Sequence, residues 1–438
     1  MRFSIERDTL TEAVAWVARA LPNRPVLPIL SGLLLTATVG DGDAPGELTL
    51  SCFDYEVSAR IRVPADVTDA GTALVPGRLL AEITRSLPGL PVEFDDSVGS
   101  DVTLTCGAAS FTLVTLPVGE YPELPDLPVL AGTVDGGVLS AAIGQVVPAA
   151  SRDDTLPILT GVNIEFTGDL MTLAATDRYR LAMRELGWNP ADPDLSSIVL
   201  IPAKTLADAA RMMSPGVPVQ VMLRGDQVGG RRDERADAMV GFESGGRRLT
   251  TRLIAGEFIK YKSRFPAEFG CVADLPAAVL TEAVKRVALV AERGTPVRLS
   301  FGPGKVTIEA GTEGQARARE TVAAEFKGDE PTIAFSPGYL LDGLIAALTA
   351  ASAQAAAAAQ AAAAQAAASP QAATGETASG QAEPSHGSST ETADETRIRL
   401  QFTSPTKPAV ITGTTRDQAD EAPDFRYLVV PLRALASA

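Results

Sequence analysis

A hexapeptide that returns within the chain constrains its fold more than any other feature. Leu27-Pro28-Ile29-Leu30-Ser31-Gly32 reappears as Leu156-Pro157-Ile158-Leu159-Thr160-Gly161. A second pattern, Asp8-Thr9-Leu10-Thr11-Glu12-Ala13-Val14, reappears at the same offset as Gly137-Val138-Leu139-Ser140-Ala141-Ala142-Ile143. Two patterns sharing one offset mark a duplicated unit. A third copy of the helical pattern is Ala278-Val279-Leu280-Thr281-Glu282-Ala283-Val284, and Thr295-Pro296-Val297-Arg298-Leu299 keeps a vestige of the hexapeptide. The interval is far longer than the roughly 20–50 residues of a solenoid repeat, so the copies are homologous domains.

Each copy runs through the same order. Leu10, Ala13, Val14, Val17 and Leu21 fall at helical spacing, and an amphipathic helix follows from it. Alternating strands come next, over Leu48 to Val63, Met171 to Glu185 and Lys305 to Glu320. Then a strand ends at proline and a second helix begins. These helices are Gly77 to Leu87 after Pro76, Ala203 to Met213 after Pro202, and Gly338 to Leu348 after Pro337. Proline suits a helix start, where its missing N–H loses nothing. The fold class is α+β, with two helices on antiparallel sheet in each of three domains. Their bounds are 1–127, 128–268 and 269–438, with boundaries near Leu127 and Phe269.

Two segments break the repeat. Arg224 to Ala238 is polar and Gly- and Arg-rich, and reads as an extended hairpin loop. An insertion, 349–396, opens with the Ala/Gln run Ala350 to Ala368. Its helix propensity extends the preceding helix up to Ser369-Pro370. The rest is rich in Gly, Ser, Thr and Glu and reads as disordered. The alanine run is too weakly apolar for a membrane span.

Composition excludes several chemistries. Three cysteines without a CxxC and a single histidine, His386, cannot assemble a zinc site or histidine-based acid–base catalysis. No P-loop is present, and the abundant carboxylates read as solvated surface. The expectation is a non-enzyme without cofactor or metal. Met1 to Leu10 has no apolar run of a secretory signal, so a cytoplasmic chain is expected.

Acidic residues outnumber basic ones 54 to 38, for a net charge of −16. That opposes DNA binding unless the cations are segregated. They are. Overlaying the second helices of domains one and two puts Arg78, Glu82 and Arg85 on Lys204, Asp208 and Arg211. Residues seven apart share a helix face. The first helices add Arg19, Lys285 and Arg286, and the loops after them add Arg24, Arg152 and Arg293. One basic face is thus built several times in an acidic protein. It suits sequence-independent phosphate contact, since no base-reading motif is visible.

At this point the residues resemble the bacterial DNA polymerase III beta subunit family, the beta sliding clamp, in a form expected of a high-GC bacterium. The resemblance rests on Met1-Arg2-Phe3-Ser4-Ile5-Glu6-Arg7, Asn23-Arg24-Pro25-Val26-Leu27-Pro28-Ile29-Leu30, Ala175-Thr176-Asp177-Arg178-Tyr179-Arg180-Leu181-Ala182 and Tyr427-Leu428-Val429-Val430-Pro431-Leu432-Arg433. It implies three clamp domains in a head-to-tail homodimeric ring, loaded on duplex DNA by an ATP-driven clamp loader. It implies a non-catalytic processivity factor in the nucleoid, with no membrane partner. Partners are the DNA polymerase III catalytic subunit and repair and translesion factors, docking through Gln-Leu-x-Leu-Phe peptides. The implied DNA-facing set is Arg24, Arg78, Arg85, Arg152, Lys204, Arg211, Lys285 and Arg286. The implied peptide pocket is Leu159, Thr176, Tyr179, Arg180, Leu181, Leu428, Val430, Pro431, Leu432 and Arg433. The implied dimer contacts are Phe111 and Leu113 against Leu289 and Val290.

The chain departs from the family in places. Ile259 and Arg264 stand where proline and an aliphatic residue are common, and Ala434 to Ala438 extend the terminus. Tyr339 to Leu348 carries no positive charge. Without the family, Leu428 to Leu432 reads simply as a terminal edge strand. The competing function is a clamp-fold interaction hub that recruits partners without encircling DNA.

Overall fold

The computed structural model describes residues 1–41, 44–96, 101–126, 128–224, 238–292, 294–312, 314–368, 396–415 and 423–432; for 357–368 and 415 it describes the backbone only. Six α-helices are present among them. They are α1 (Arg7–Ala18), α2 (Gly77–Ser86), α3 (Gly136–Val146), α4 (Ala203–Ala210), α5 (Ala277–Ala288) and α6 (Pro337–Ala368). The chain divides into two compact units. One holds Met1–Ser140, Glu165–Leu170 and Gly187–Ala255; the other holds Ala141–Ile164, Met171–Leu186 and Gly256–Ala438.

In the first unit, a five-stranded antiparallel sheet orders Asp66–Asp69, Arg2–Ile5, Val92–Asp95, Asp101–Cys106 and Ala109–Val114. A nine-stranded sheet orders Asn189–Pro190, Val129–Asp135, Pro218–Arg224, Met239–Ser244, Arg247–Arg252, Val57–Pro64, Glu47–Phe53, Gly32–Thr38 and Gly71–Pro76. The expected stripe of α1 is the buried one: Leu10, Ala13, Val14 and Val17, with Leu21 just beyond the helix. Strand alternation buries Leu48 and Leu50 from one strand and Ala59 and Ile61 from its neighbour. The repeated hexapeptides form matching single 3-10 turns, Pro28–Ser31 and Pro157–Thr160. In each, the hydroxyl donates back to the proline carbonyl at 2.7 Å.

In the second unit, one long sheet contains, in order, Gly161–Thr167, Leu170–Thr176, Arg180–Gly187, Phe425–Val429, Ala409–Thr415, Thr396–Phe402, Cys271–Pro276 and Glu325–Lys327. A four-stranded sheet orders Arg317–Ala323, Lys305–Gly311, Val297–Gly302 and Thr332–Phe335. Helix α6 lies on the long sheet through Leu340, Leu344, Ala347, Ala350 and Ala351, all nearly or fully buried. The approach is close. A Cβ on Gly413 would sit 2.1 Å from the Ala347 carbonyl oxygen, so only glycine fits. Part of this helix, Pro337–Ala356, is the single described segment long and apolar enough to cross a membrane by composition. Its apolar stripe is already spent on the sheet.

Several expectations need correction. The terminal strand Phe425–Val429 is not an edge: it pairs with Arg180–Gly187 on one side and Ala409–Thr415 on the other. Flanked on both sides, the strand buries Phe425, Tyr427, Leu428 and Val429 and leaves Arg426 half-buried. Helix α4 ends at Ala210, so Arg211 caps the helix rather than lying within it. Helix α6 runs to Ala368, well past Leu348, as the alanine propensity implied. The hairpin reading for Arg224 to Ala238 has its flanks in place, since Arg224 pairs with Met239. Residues 225–237 and the insertion beyond Ala368 up to 395 lie outside the described residues.

Candidate peptide cleft and DNA-facing surface

The candidate cleft is built around one strained turn. Strands Leu170–Thr176 and Arg180–Gly187 are joined by Asp177, Arg178 and Tyr179. Arg178 adopts φ 79°, a left-handed conformation that costs a side-chain-bearing residue about 1–2 kcal/mol. The Asp177 carboxylate offsets this by accepting from the backbone N–H groups of Tyr179 and Arg180, both at 3.0 Å. The Thr176 hydroxyl accepts from Arg178 N–H at 3.2 Å and donates to the Arg180 carbonyl at 2.5 Å. Thr176 is therefore buried support for the turn.

The turn aims Arg180 inward. Its Nε donates to Asp177 Oδ2 at 2.9 Å, its Nη1 pairs with Asp342 of α6, and its guanidinium lies 4.5 Å from the Tyr339 ring centroid. Burial works against the Arg180 charge, yet Tyr427, Asp342 and Asp177 outweigh it and hold its pKa above the ordinary value. Burial likewise pushes the Tyr427 hydroxyl up. That hydroxyl donates to the Tyr339 carbonyl at 2.9 Å. Exposed Tyr179 stacks on Tyr339 with centroids 6.3 Å apart. The result is an open cleft of about 670 Å³, whose lining includes Arg152, Leu156, Arg178, Tyr179, Arg180 and Tyr339.

An apolar cluster stands beside it in the same unit. Ala174, Leu181, Met183, Tyr261 and Leu428 are buried together, with Phe258, Phe265 and Val430 packed against them. The chain end is tied in by backbone: Val430 N–H donates to the Tyr179 carbonyl and Leu432 N–H to the Ala334 carbonyl, each at 2.8 Å. Pro431 is buried and Leu432 is 41% exposed. Leu159 is half-buried, and its carbonyl accepts from Ser151 N–H. Arg433 and the tail Ala434 to Ala438 lie outside the described residues. Of the sequence-derived set, the structure gathers Tyr179 and Arg180 at the cleft and Leu181, Leu428 and Val430 in the cluster. Sequence reading missed Asp177, Tyr261, Tyr339 and Asp342. Asp177 was findable, since an aspartate opening a short turn commonly accepts backbone N–H groups. Tyr339 and Asp342 had no local signal.

The comparisons agree across the whole chain. Residues 1–125 match the DNA polymerase III beta subunit N-terminal domain, residues 133–260 its central domain and residues 262–358 its C-terminal domain. The chain belongs to the DNA polymerase III beta subunit family. The beta sliding clamp of Streptomyces coelicolor is 46% identical over 99% of both chains. That of Micrococcus luteus is 49% identical over 74% of this chain and 98% of its own. The crystal structure of a DNA polymerase sliding clamp from Bacillus subtilis covers 99% of each chain with a TM-score of 0.77 at 24% identity, a likeness of fold. The chain is thus a DNA sliding clamp built of three clamp domains, and the hub alternative is not favoured.

The cations expected to face DNA in this clamp are all exposed. In the first unit, Arg78 of α2 donates to the Pro22 carbonyl at 3.0 Å and Asn23 Oδ1 at 2.8 Å, bracing the loop that carries Arg24. Arg85 lies in the last turn of α2. Lys204 of α4 and Arg19 line one groove together with Asn23 and Asp208. Arg211 stands 3.8 Å from Asp208. In the second unit, Arg152 lines the cleft, Lys285 donates to Glu282 at 2.6 Å, and Arg286 donates to Glu320 through Nε at 3.1 Å. Such exposed pairs cost little to exchange for phosphate. Of the expected dimer contacts, Leu289 is 85% exposed and Val290 and Phe111 are half-buried, but Leu113 is only 2% exposed and serves the core of its own sheet.

Proposed function

We propose that two copies of this clamp close head to tail into a ring around duplex DNA, as a non-catalytic tether for the DNA polymerase III catalytic subunit. The observation that carries this reading is a pair of sheet edges left unpaired among the described residues. Ala109–Val114 ends the five-stranded sheet, and Arg317–Ala323 ends the four-stranded one. The first edge carries no charge or proline, the usual defences of a free edge, and Val114 is 68% exposed. Such an edge calls for a strand from another copy. Pairing one chain's first edge with its partner's second is a heterologous contact, which closes when two copies complete the rotation. Phe111 would meet Leu289 and Val290 there, with Leu113 supporting Phe111 from beneath.

In this reading Arg24, Arg78, Arg85, Arg152, Lys204, Arg211, Lys285 and Arg286 face the duplex and touch phosphates without reading sequence. A clamp loader opens the ring. The domains are those bounded at 1–127, 128–268 and 269–438. The polymerase, repair and translesion factors dock a Gln-Leu-x-Leu-Phe segment, its apolar anchors on Leu159, Leu181, Leu428, Val430, Pro431 and Leu432. Tyr179, Arg180 and Arg433 fix its polar groups, and Thr176 of the same set holds the turn that presents Tyr179 and Arg180. The chain works in the cytoplasm at the nucleoid. Retention on DNA is the test: the loaded clamp stays on closed circular plasmid and runs off after linearisation. Equal retention on both forms rejects a topological ring.

A further inference from the structure

The face of the nine-stranded sheet away from α1 carries a cationic island that the ring reading does not use. Ala59 and Ile61 are buried beneath α1 with Leu48 and Leu50, so strand alternation turns Arg60 and Arg62 to the opposite face. On the neighbouring strand Arg248 stands directly across from Arg60. The adjacent pair on that face, Ser58 and Thr250, joins hydroxyls at 2.6 Å, and Ser51 flanks Arg60 on the other side. Like charges directly opposite one another destabilise a sheet.

Carboxylates compensate only part of the island. Arg248 donates to Glu243 through Nε at 2.9 Å and Nη2 at 2.5 Å, and Arg62 stands 3.8 Å from Glu47. Arg60 has no hydrogen-bond or ion-pair partner among the described residues and is half-buried. Burial lowers its pKa, and Arg248 and Arg62 lower it further. A charge held at this cost, in a chain of net charge −16, suits an external acid.

We propose that this island docks an extended, carboxylate-rich segment of a partner protein. Guanidinium and carboxylate form paired, charge-assisted hydrogen bonds. The cations are spread over two strands of a sheet face and so suit a peptide rather than a single oxyanion. Residues two apart in an extended segment repeat at about 6.6–7 Å, the spacing of Arg60 and Arg62 along their own strand. An alternating Glu-x-Glu segment therefore matches the island. Screening over about 8 Å at physiological salt means the segment meets the local cations more than the distant acidic surface.

The test is fluorescence anisotropy with the full-length clamp and a labelled Gly-Glu-Ser-Glu-Ser-Glu-Gly peptide. Its lysine counterpart serves as control and inorganic phosphate as competitor. The glutamate peptide binds, the lysine peptide does not, and added salt weakens binding. Arg60→Gln and Arg62→Gln each weaken it about tenfold, near the loss of one charge-assisted hydrogen bond. Arg60→Gln unfolds at the same or a higher temperature, because the repulsion from Arg248 is gone. Unchanged affinity in both variants overturns the proposal, as does no binding by the wild-type clamp. Displacement by phosphate at concentrations equal to the peptide's assigns the island to simple anions and overturns it too.

Discussion

Arg178 shows what a single backbone angle implies. Its φ of 79° is a standing cost, and among the described residues its side chain makes no hydrogen bond that offsets it. Arg178→Gly should therefore raise stability by about 1 kcal/mol, read as a higher urea midpoint with unchanged slope. A lower midpoint would show that the Arg178 side chain supports the turn. Gly413 is the opposite case. Gly413→Ala drives a methyl into the Ala347 carbonyl, and a loss of about 1–3 kcal/mol is expected by the same measurement. Cys52 is fully buried, and burial pushes its thiol pKa to about 12. At pH 8 it should resist thiol reagents until the clamp is unfolded.

Helix α6 and the terminal strand act as one element. Tyr427 fits against Gly343, its hydroxyl bonds the Tyr339 carbonyl, and Gln354 Nε2 donates to Asp424 Oδ1 at 2.8 Å. The strand that ends at the candidate pocket is thus braced as far along α6 as Gln354. Leu344→Ala should cost about 2–5 kcal/mol and weaken peptide binding with it. The brace also decides where the insertion becomes dispensable. Replacing residues 358–394 with a short Gly-Ser linker should leave thermal unfolding and peptide affinity unchanged, since loop closure depends only weakly on length. A deletion beginning at Ser352 removes Gln354 and should lower the unfolding temperature. Equal unfolding temperatures for the two deletions would reject the brace.

For the whole molecule, the proposed ring makes assembly and DNA retention separable. Leu289→Ala with Val290→Ala should give monomers by light scattering, because the exposed Leu289 contributes nothing to its own core. An unchanged dimer mass would move the interface elsewhere. Reversing Arg78, Arg85, Lys204 and Arg211 to glutamate should leave the dimer intact and impair loading on nicked circles, with the defect shrinking as salt rises. Wild-type loading would remove these residues from the DNA-facing surface. Truncation after Val429 removes the backbone bonds made by Val430 and Leu432 and should abolish peptide binding while leaving the dimer.

The sequence by itself determined the local elements and their repetition. Helical spacing at Leu10 to Leu21, strand alternation at Leu48 to Val63 and prolines 76, 202 and 337 act within a few residues, so their signals are readable in order. The exposure of Arg78, Arg85, Lys204 and Arg211 was readable for the same reason, although Arg211 falls just past the end of α4. Only the tertiary structure decided what depends on a neighbour distant in sequence. It placed Phe425–Val429 inside a sheet, which its residues alone could not separate from an edge. It turned Leu113 into its own core and brought Asp342 and Tyr339 onto Arg180. It set Arg60 across from Arg248. Strand register and helix docking join residues far apart in the chain, and the energy that fixes them, burial and charge pairing, has no term in the local sequence.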